Sequence, residues 1–118
     1  MSSIDLPHHH CEWNPELNKV ADIDSFQKAA DIFRLLCDGS RLRIFWLLCH
    51  CEECVINISA LVNMSSPAVS HHLRQLKISG LITSRRDGKE MYYKAADTEE
   101  SKVLHLAIEK ILEITCPG

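Results

Sequence analysis

The sequence predicts a mainly α fold carrying one small β-hairpin, and three observations predict it. Apolar residues recur at helical spacing in several stretches, the clearest being Phe26 to Cys37, Val69 to Leu76 and Val103 to Leu112. Near the C-terminal end, Leu81-Ile82-Thr83-Ser84 and Glu90-Met91-Tyr92-Tyr93-Lys94 read as two strands flanking Asp87-Gly88, a strong hairpin-turn signal. Pro15, Gly39, Pro67 and Gly80 stand where helices start or stop. At 118 residues the chain is one domain, small enough that partner surface matters to its stability, so a dimer is expected.

Residues 1–15 carry His8, His9, His10, Cys11 and Trp13 without periodicity and read as a mobile N-terminal arm, ahead of a folded domain over 16–118. A short first helix begins at Pro15, with Glu16 near the positive end of its dipole and Leu17 and Val20 spaced by three. With Asp22 or Asp24 as N-cap, Phe26, Ala29, Ala30, Phe33, Leu36 and Cys37 then form one apolar stripe. On that stripe Cys37 reads as a small buried hydrophobe rather than a ligand. Gly39 is read as a helix stop and Ser40 as the next N-cap. The helix that follows, with Leu42, Ile44, Phe45, Trp46, Leu47 and Leu48, is apolar on more than one face and should be the most buried. It runs straight into Cys49-His50-Cys51-Glu52-Glu53-Cys54.

Beyond this cluster, Asn57 can cap a short helix holding Ile58, Leu61 and Val62, and Asn63-Met64-Ser65 forms a turn. Ser65 or Ser66 caps the next helix, which has Pro67 in its first turn, turns Val69, Leu73 and Leu76 inward, and ends at Gly80. Its opposite side offers Ser66, Ala68, Ser70, His71, Arg74 and Gln75. Two helices joined by a tight turn, the second polar outside and starting with small residues, form the helix-turn-helix layout of a major-groove reader. The hairpin tip, Arg85-Arg86-Asp87-Gly88-Lys89, is basic and suits a wing that reaches for phosphate. Asp97 or Thr98 starts a last helix with Glu99 and Glu100 in its first turn and a stripe of Val103, Leu104, Ala107, Ile108, Ile111 and Leu112. A helix this apolar at the end of a small domain calls for partner surface, so a two-fold homodimer through the first and last helices is expected.

The net charge of −3 argues against a generally basic nucleic-acid binder, but Arg74, Lys77, Arg85, Arg86 and Lys89 concentrate positive charge on one half of the chain. No apolar run approaches the roughly 20 residues that a membrane helix needs. The first residues lack a basic region followed by an apolar core. A cytoplasmic protein with no membrane partner is therefore expected. Its six cysteines then read as thiols or metal ligands before disulfides.

Cys51 and Cys54 are three apart, a spacing that on a helix or in a tight knuckle turns two thiolates to one side, as a tetrahedral metal requires. Cys49 can join if the helix ends there, and Cys11 with His10 on the arm can supply the rest. Soft thiolates favour zinc, cadmium, lead or monovalent copper over magnesium or calcium. The candidate metal set is Cys11, Cys49, Cys51, Cys54 and His10.

The run Leu35-Leu36-Cys37-Asp38-Gly39-Ser40-Arg41-Leu42-Arg43-Ile44, with Ser70-His71-His72-Leu73-Arg74-Gln75-Leu76, Gly80-Leu81-Ile82 and the wing Arg86-Asp87-Gly88-Lys89, resembles the ArsR/SmtB family of metalloregulators. The resemblance spans roughly residues 25–115 and implies a winged helix-turn-helix homodimer that represses by sitting on operator DNA and lets go when metal binds. It places Ser66, Ser70, His71, Arg74 and Gln75 on the recognition helix. With Ser65 and Ala68 beside them, and Arg85, Arg86 and Lys89 on the wing, these make the DNA-contact set. One metal site of the family lies on the last helix, at positions that resemble Asp97, Glu99, Lys110 and Glu113; here its histidines are missing and a lysine intrudes. Another uses a Cys-x-Cys whose first member resembles Cys54, with Ile56 where the second would be.

The resemblance thus implies a repressor that responds to zinc, cadmium or lead and acts on no small-molecule substrate. A thiol redox or persulfide sensor on the same fold is the alternative, with Cys49, Cys51 or Cys54 pairing with Cys11 or another cysteine. The arm histidines have no use in such a switch, and Glu52 and Glu53 oppose a thiolate beside them. An enzyme using a cysteine with His50 or His72 lacks a third, orienting group.

Overall fold

A computed structural model describes residues 7–8 and 14–115. The chain divides into two compact units, Met1–Phe33 and Arg34–Gly118. In the first, Asn14 accepts a hydrogen bond from the Glu16 amide and opens Pro15–Ala21, which is a 3-10 helix rather than an α-helix. Helix α1, Ile23–Leu35, follows, and Asp22 accepts from both the amide and the hydroxyl of Ser25. Ile23, Phe26 and Phe33 are all more than half exposed. Cys37 is exposed as well, against expectation. The helix stops at Leu35, so the apolar spacing no longer predicts where residue 37 points.

The second unit is built on α2, Gly39–His50, which buries Ile44, Phe45 and Leu48. Its N-cap is Asp38, whose carboxylate accepts from the Arg41 amide at 3.0 Å, and not Ser40. Gly39 is the first residue of this helix instead of the stop of the one before. Helices α3, Val55–Val62, and α4, Ser66–Ile78, are joined by a turn in which Asn63 adopts the left-handed conformation at φ 56°. Asn and Gly tolerate that region best, which is why this turn is tight. Asn57 does not cap α3; its side chain donates to Glu53 at 2.8 Å, and Cys54 holds the cap position without a side-chain bond. Ser65 caps α4 as expected, accepting from the Ala68 amide.

Gly80, at φ +84°, turns the chain into the hairpin. Strands β2, Ile82–Asp87, and β3, Glu90–Ala95, pair antiparallel with Asp87 opposite Glu90. The two-residue link has Gly88 at φ 65° in its first position, the pattern of a type II′ turn. A third strand escaped the sequence reading: β1, Glu53–Cys54, pairs with β3 so that Cys54 lies opposite Tyr92.

Helix α5, Glu99–Thr115, starts beside Thr98, whose hydroxyl accepts from the Ser101 amide. The Ser101 hydroxyl, buried, donates to the Leu81 carbonyl at 2.9 Å and ties the helix start to the entry of the hairpin. The Leu81 carbonyl also accepts from the Ala96 amide at 2.9 Å, so removing the hydroxyl costs one net hydrogen bond, about 0.5–1.5 kcal/mol, rather than leaving the carbonyl bare. Ser101→Ala is therefore expected to lower the melting temperature by several degrees in a thermal scan. An unchanged transition would mean that the tie between the helix start and the hairpin adds nothing to stability. Of the predicted α5 stripe, Ile108 is buried, whereas Val103, Ile111 and Leu112 remain exposed. Among the described residues no helix is long and apolar enough to cross a membrane.

Candidate nucleic-acid interface and thiol cluster

The phase of α4 decides which side chains can meet DNA. Val69, His72, Leu73 and Leu76 are buried, and this fixes the opposite side as Ser66, His71 and Arg74, all exposed, with Ala68, Ser70 and Gln75 half-buried at its margins. Of the two adjacent histidines, His72 points inward. Its Nδ1 accepts from Arg41 Nε at 3.2 Å, and burial holds this imidazole below its ordinary range, so it stays a neutral acceptor. Arg41 also donates to the Leu35 carbonyl, at 2.9 Å. Ser65 is occupied as the cap, and Ser66 meets Ser59 of α3 across 3.2 Å, which sets the spacing of the two helices.

On the wing, Arg85, Arg86 and Lys89 are all exposed. Arg85 differs from the other two. It donates to Glu52 through Nε at 3.0 Å and Nη2 at 2.6 Å, and its guanidinium lies 5.1 Å from the Tyr92 ring centre. That hydrogen bond holds the Glu52 carboxyl below the usual carboxylate range. The wing is thus tied to the segment that carries the thiols.

That segment is not a continuation of α2. Cys49 lies on the helix, Cys51 is its C-cap in extended conformation (φ −153°, ψ 162°), and Cys54 is buried at the start of α3. Cys51 and Cys54 therefore do not share a helix face. The Cys51 thiol turns back to donate to the Leu47 carbonyl at 3.4 Å. Burial, and then the Glu109 carboxylate, push the Cys49 thiol up to about 11. Burial and Glu53 raise that of Cys51 in the same way. Cys11 and His10 lie outside the described residues, as does Cys116.

Among the described residues, a single set of three ligand-type side chains brings its donor atoms within 4.8 Å of one another, and it is His50, His105 and Glu109. Glu109 Oε1 lies 2.9 Å from His50 Nε2 and 3.0 Å from His105 Nε2, and it accepts from Trp46 Nε1 at 3.1 Å. The hydrogen bonds from His105, His50 and Trp46 hold its carboxyl low. His105 belongs to none of the residue sets proposed from the sequence. The i, i+4 spacing of His105 and Glu109 was the one available signal, and it says nothing of His50.

A helix pair whose second member presents a polar outer face, followed by a basic-tipped hairpin, defines a DNA-binding transcriptional regulator. Residues 38–84 match the arsR family of bacterial regulatory proteins. The chain is 38% identical over 98 residues to a transcriptional repressor SmtB homolog of Synechocystis sp., covering 82% of this chain and 74% of that one. It is 36% identical over 86 residues to the cadmium resistance transcriptional regulatory protein CadC of Listeria innocua, covering 72% and 71%. In structure it is similar to a homodimeric winged helix-turn-helix DNA-binding domain from Mycobacterium bovis, with a TM-score of 0.69 and 28% identity over 83% of this chain and 89% of that one. The chain belongs to the arsR family, and it is a transcriptional regulator rather than an enzyme.

Proposed function

We propose that the protein is a homodimeric repressor that releases operator DNA when a thiophilic ion, zinc, cadmium or lead, binds its cysteines. In this reading Cys51 and Cys54 are the principal ligands, joined by Cys49 and by Cys11 and His10 of the arm. One observation carries it above the others. Cys54 is both the N-cap of α3, the first helix of the DNA-reading pair, and the partner of Tyr92 on the wing strand β3. An ion that draws on the Cys54 sulfur displaces both DNA-contacting elements at once, and thereby the spacing of the two half-site readers. The relatedness to a cadmium resistance regulator supports the same reading.

Self-association has its own support in exposed apolar side chains. On α5, Val103, Leu106, Ile111 and Ile114 are each more than half exposed, as are Ile23, Phe26 and Phe33 on α1. Surfaces of this kind fit an isologous interface.

The deciding experiment titrates the reduced protein on its operator with zinc, cadmium, and a persulfide or oxidant in parallel. Release by metal alone is expected. By linkage, operator DNA should weaken metal binding by the same factor by which metal weakens operator binding. Release by the oxidant alone would replace this reading with the redox one.

A further inference from the structure

We infer that His50, His105 and Glu109 form a second cation site, apart from the thiols, that takes zinc through two imidazole nitrogens and one carboxylate oxygen. The three donor atoms make a nearly equilateral triangle, with edges of 2.9 Å and 3.0 Å from Glu109 Oε1 to the two Nε2 atoms and 3.2 Å between those nitrogens. Tetrahedral zinc with bonds of about 2.0–2.1 Å sets neighbouring ligand atoms about 3.3 Å apart. An ion seated over the triangle therefore needs each edge to open by only a few tenths of an ångström.

Protons cannot satisfy the same three edges. Ionised Glu109 only accepts, so each histidine reaches it by carrying its proton on Nε2. Two N–H groups then face each other across 3.2 Å with no acceptor between them. Moving one proton to Nδ1 relieves that contact but turns the bared nitrogen lone pair toward the carboxylate. A cation meets all three lone pairs together.

The surroundings fit as well. Trp46 Nε1 donates to the ligating oxygen at 3.1 Å, an outer contact of the kind that orients a metal-bound carboxylate. The side chains of His50 and Glu109 are 44% and 40% exposed, which leaves an entry path and room for a water in the fourth position. Imidazole and carboxylate donors suit zinc, nickel or divalent copper, whereas thiolates select softer ions. His50 is the last residue of α2, and His105 and Glu109 lie one turn apart on α5. The ion would thus fasten α5 to the end of the helix that leads into the DNA-reading pair. None of the last-helix positions matched to the family's site, Asp97, Glu99, Lys110 and Glu113, belongs to the set.

The test uses the full chain carrying Cys11→Ser, Cys49→Ser, Cys51→Ser and Cys54→Ser, with cobalt(II) as a spectroscopic probe and zinc measured by chelator competition. Expected are one tightly held equivalent and visible ligand-field absorption without a thiolate charge-transfer band. Adding His105→Ala or Glu109→Gln should weaken zinc binding by about tenfold or more. His50→Gln, on an exposed side chain, repeats the test should the α5 variants fail to fold. The inference is overturned if the thiol-substituted chain binds no ion, if its cobalt spectrum is dominated by thiolate, or if the histidine and glutamate changes leave zinc affinity unchanged. Because no DNA is present, failure of the thiol-based release mechanism leaves this result standing, and the reverse holds too.

Discussion

Cys54→Ser is expected to bind operator DNA as tightly as the parent and to stay bound when zinc or cadmium is added. Coupling between an effector and a second site runs to about 1–3 kcal/mol, or roughly 5- to 150-fold in affinity. In this variant the ratio of operator affinities without and with metal should fall to about one. The fold should tolerate the change for a local reason. Cys54 is only 7% exposed, and burying a hydroxyl in place of a thiol carries a penalty. It is also an N-cap with no side-chain hydrogen bond, the position where serine is among the preferred residues. The new hydroxyl can accept from an amide in the first turn of α3 and offset that penalty. Thermal melting checks the fold, and fluorescence anisotropy of labelled operator, with and without metal, checks the coupling. Metal-induced release that survives in Cys54→Ser would remove this residue from the sensing site.

The parts of the molecule that were legible in the sequence are those fixed by local chemistry. Ser65 as cap, Pro67 in the first turn and Gly80 at positive φ bound α4 where the residues said they would. The Asp-Gly signal located the hairpin, although Asp87 pairs with Glu90 as the last residue of β2 and the turn itself is Gly88-Lys89. The inward phase of Val69, Leu73 and Leu76 likewise located the outer face of the reading helix. What stayed hidden depends on distant partners. Strand β1 has two residues, too few for an alternating pattern, and exists because Tyr92 and Tyr93 offer it backbone partners. Arg85 read as one more basic wing residue until Glu52, 33 positions away, took up its guanidinium. The contact of His50 with His105 spans 55 positions, and no periodicity within either helix encodes it. Local rules also failed where two caps competed: Asp38 and Ser40 both suit an N-cap, and the one that reaches the Arg41 amide set the start of α2.

Arg74→Ala should be the most damaging single change for DNA binding while leaving the fold intact. Arg74 is exposed on the outer face of α4, one turn beyond Ser70 and His71, where a guanidinium can make a bidentate contact with a guanine edge. A contact of that kind is worth about 1–3 kcal/mol. A homodimer on a two-fold operator presents it twice, and the half-sites are distant enough for the losses to add. The variant should therefore bind operator with about 2–6 kcal/mol less free energy, roughly 30-fold to more than 10⁴-fold weaker. Specificity should relax at the symmetric pair of base positions it reads. Lys89→Ala, at the wing tip, supplies the contrast. Losing a phosphate contact weakens all sequences alike and lowers the salt dependence of binding by about one counterion per subunit. Titrations of operator and scrambled DNA at several salt concentrations separate the two patterns. Equal losses on both DNAs for Arg74→Ala would move this residue from base reading to backbone anchoring.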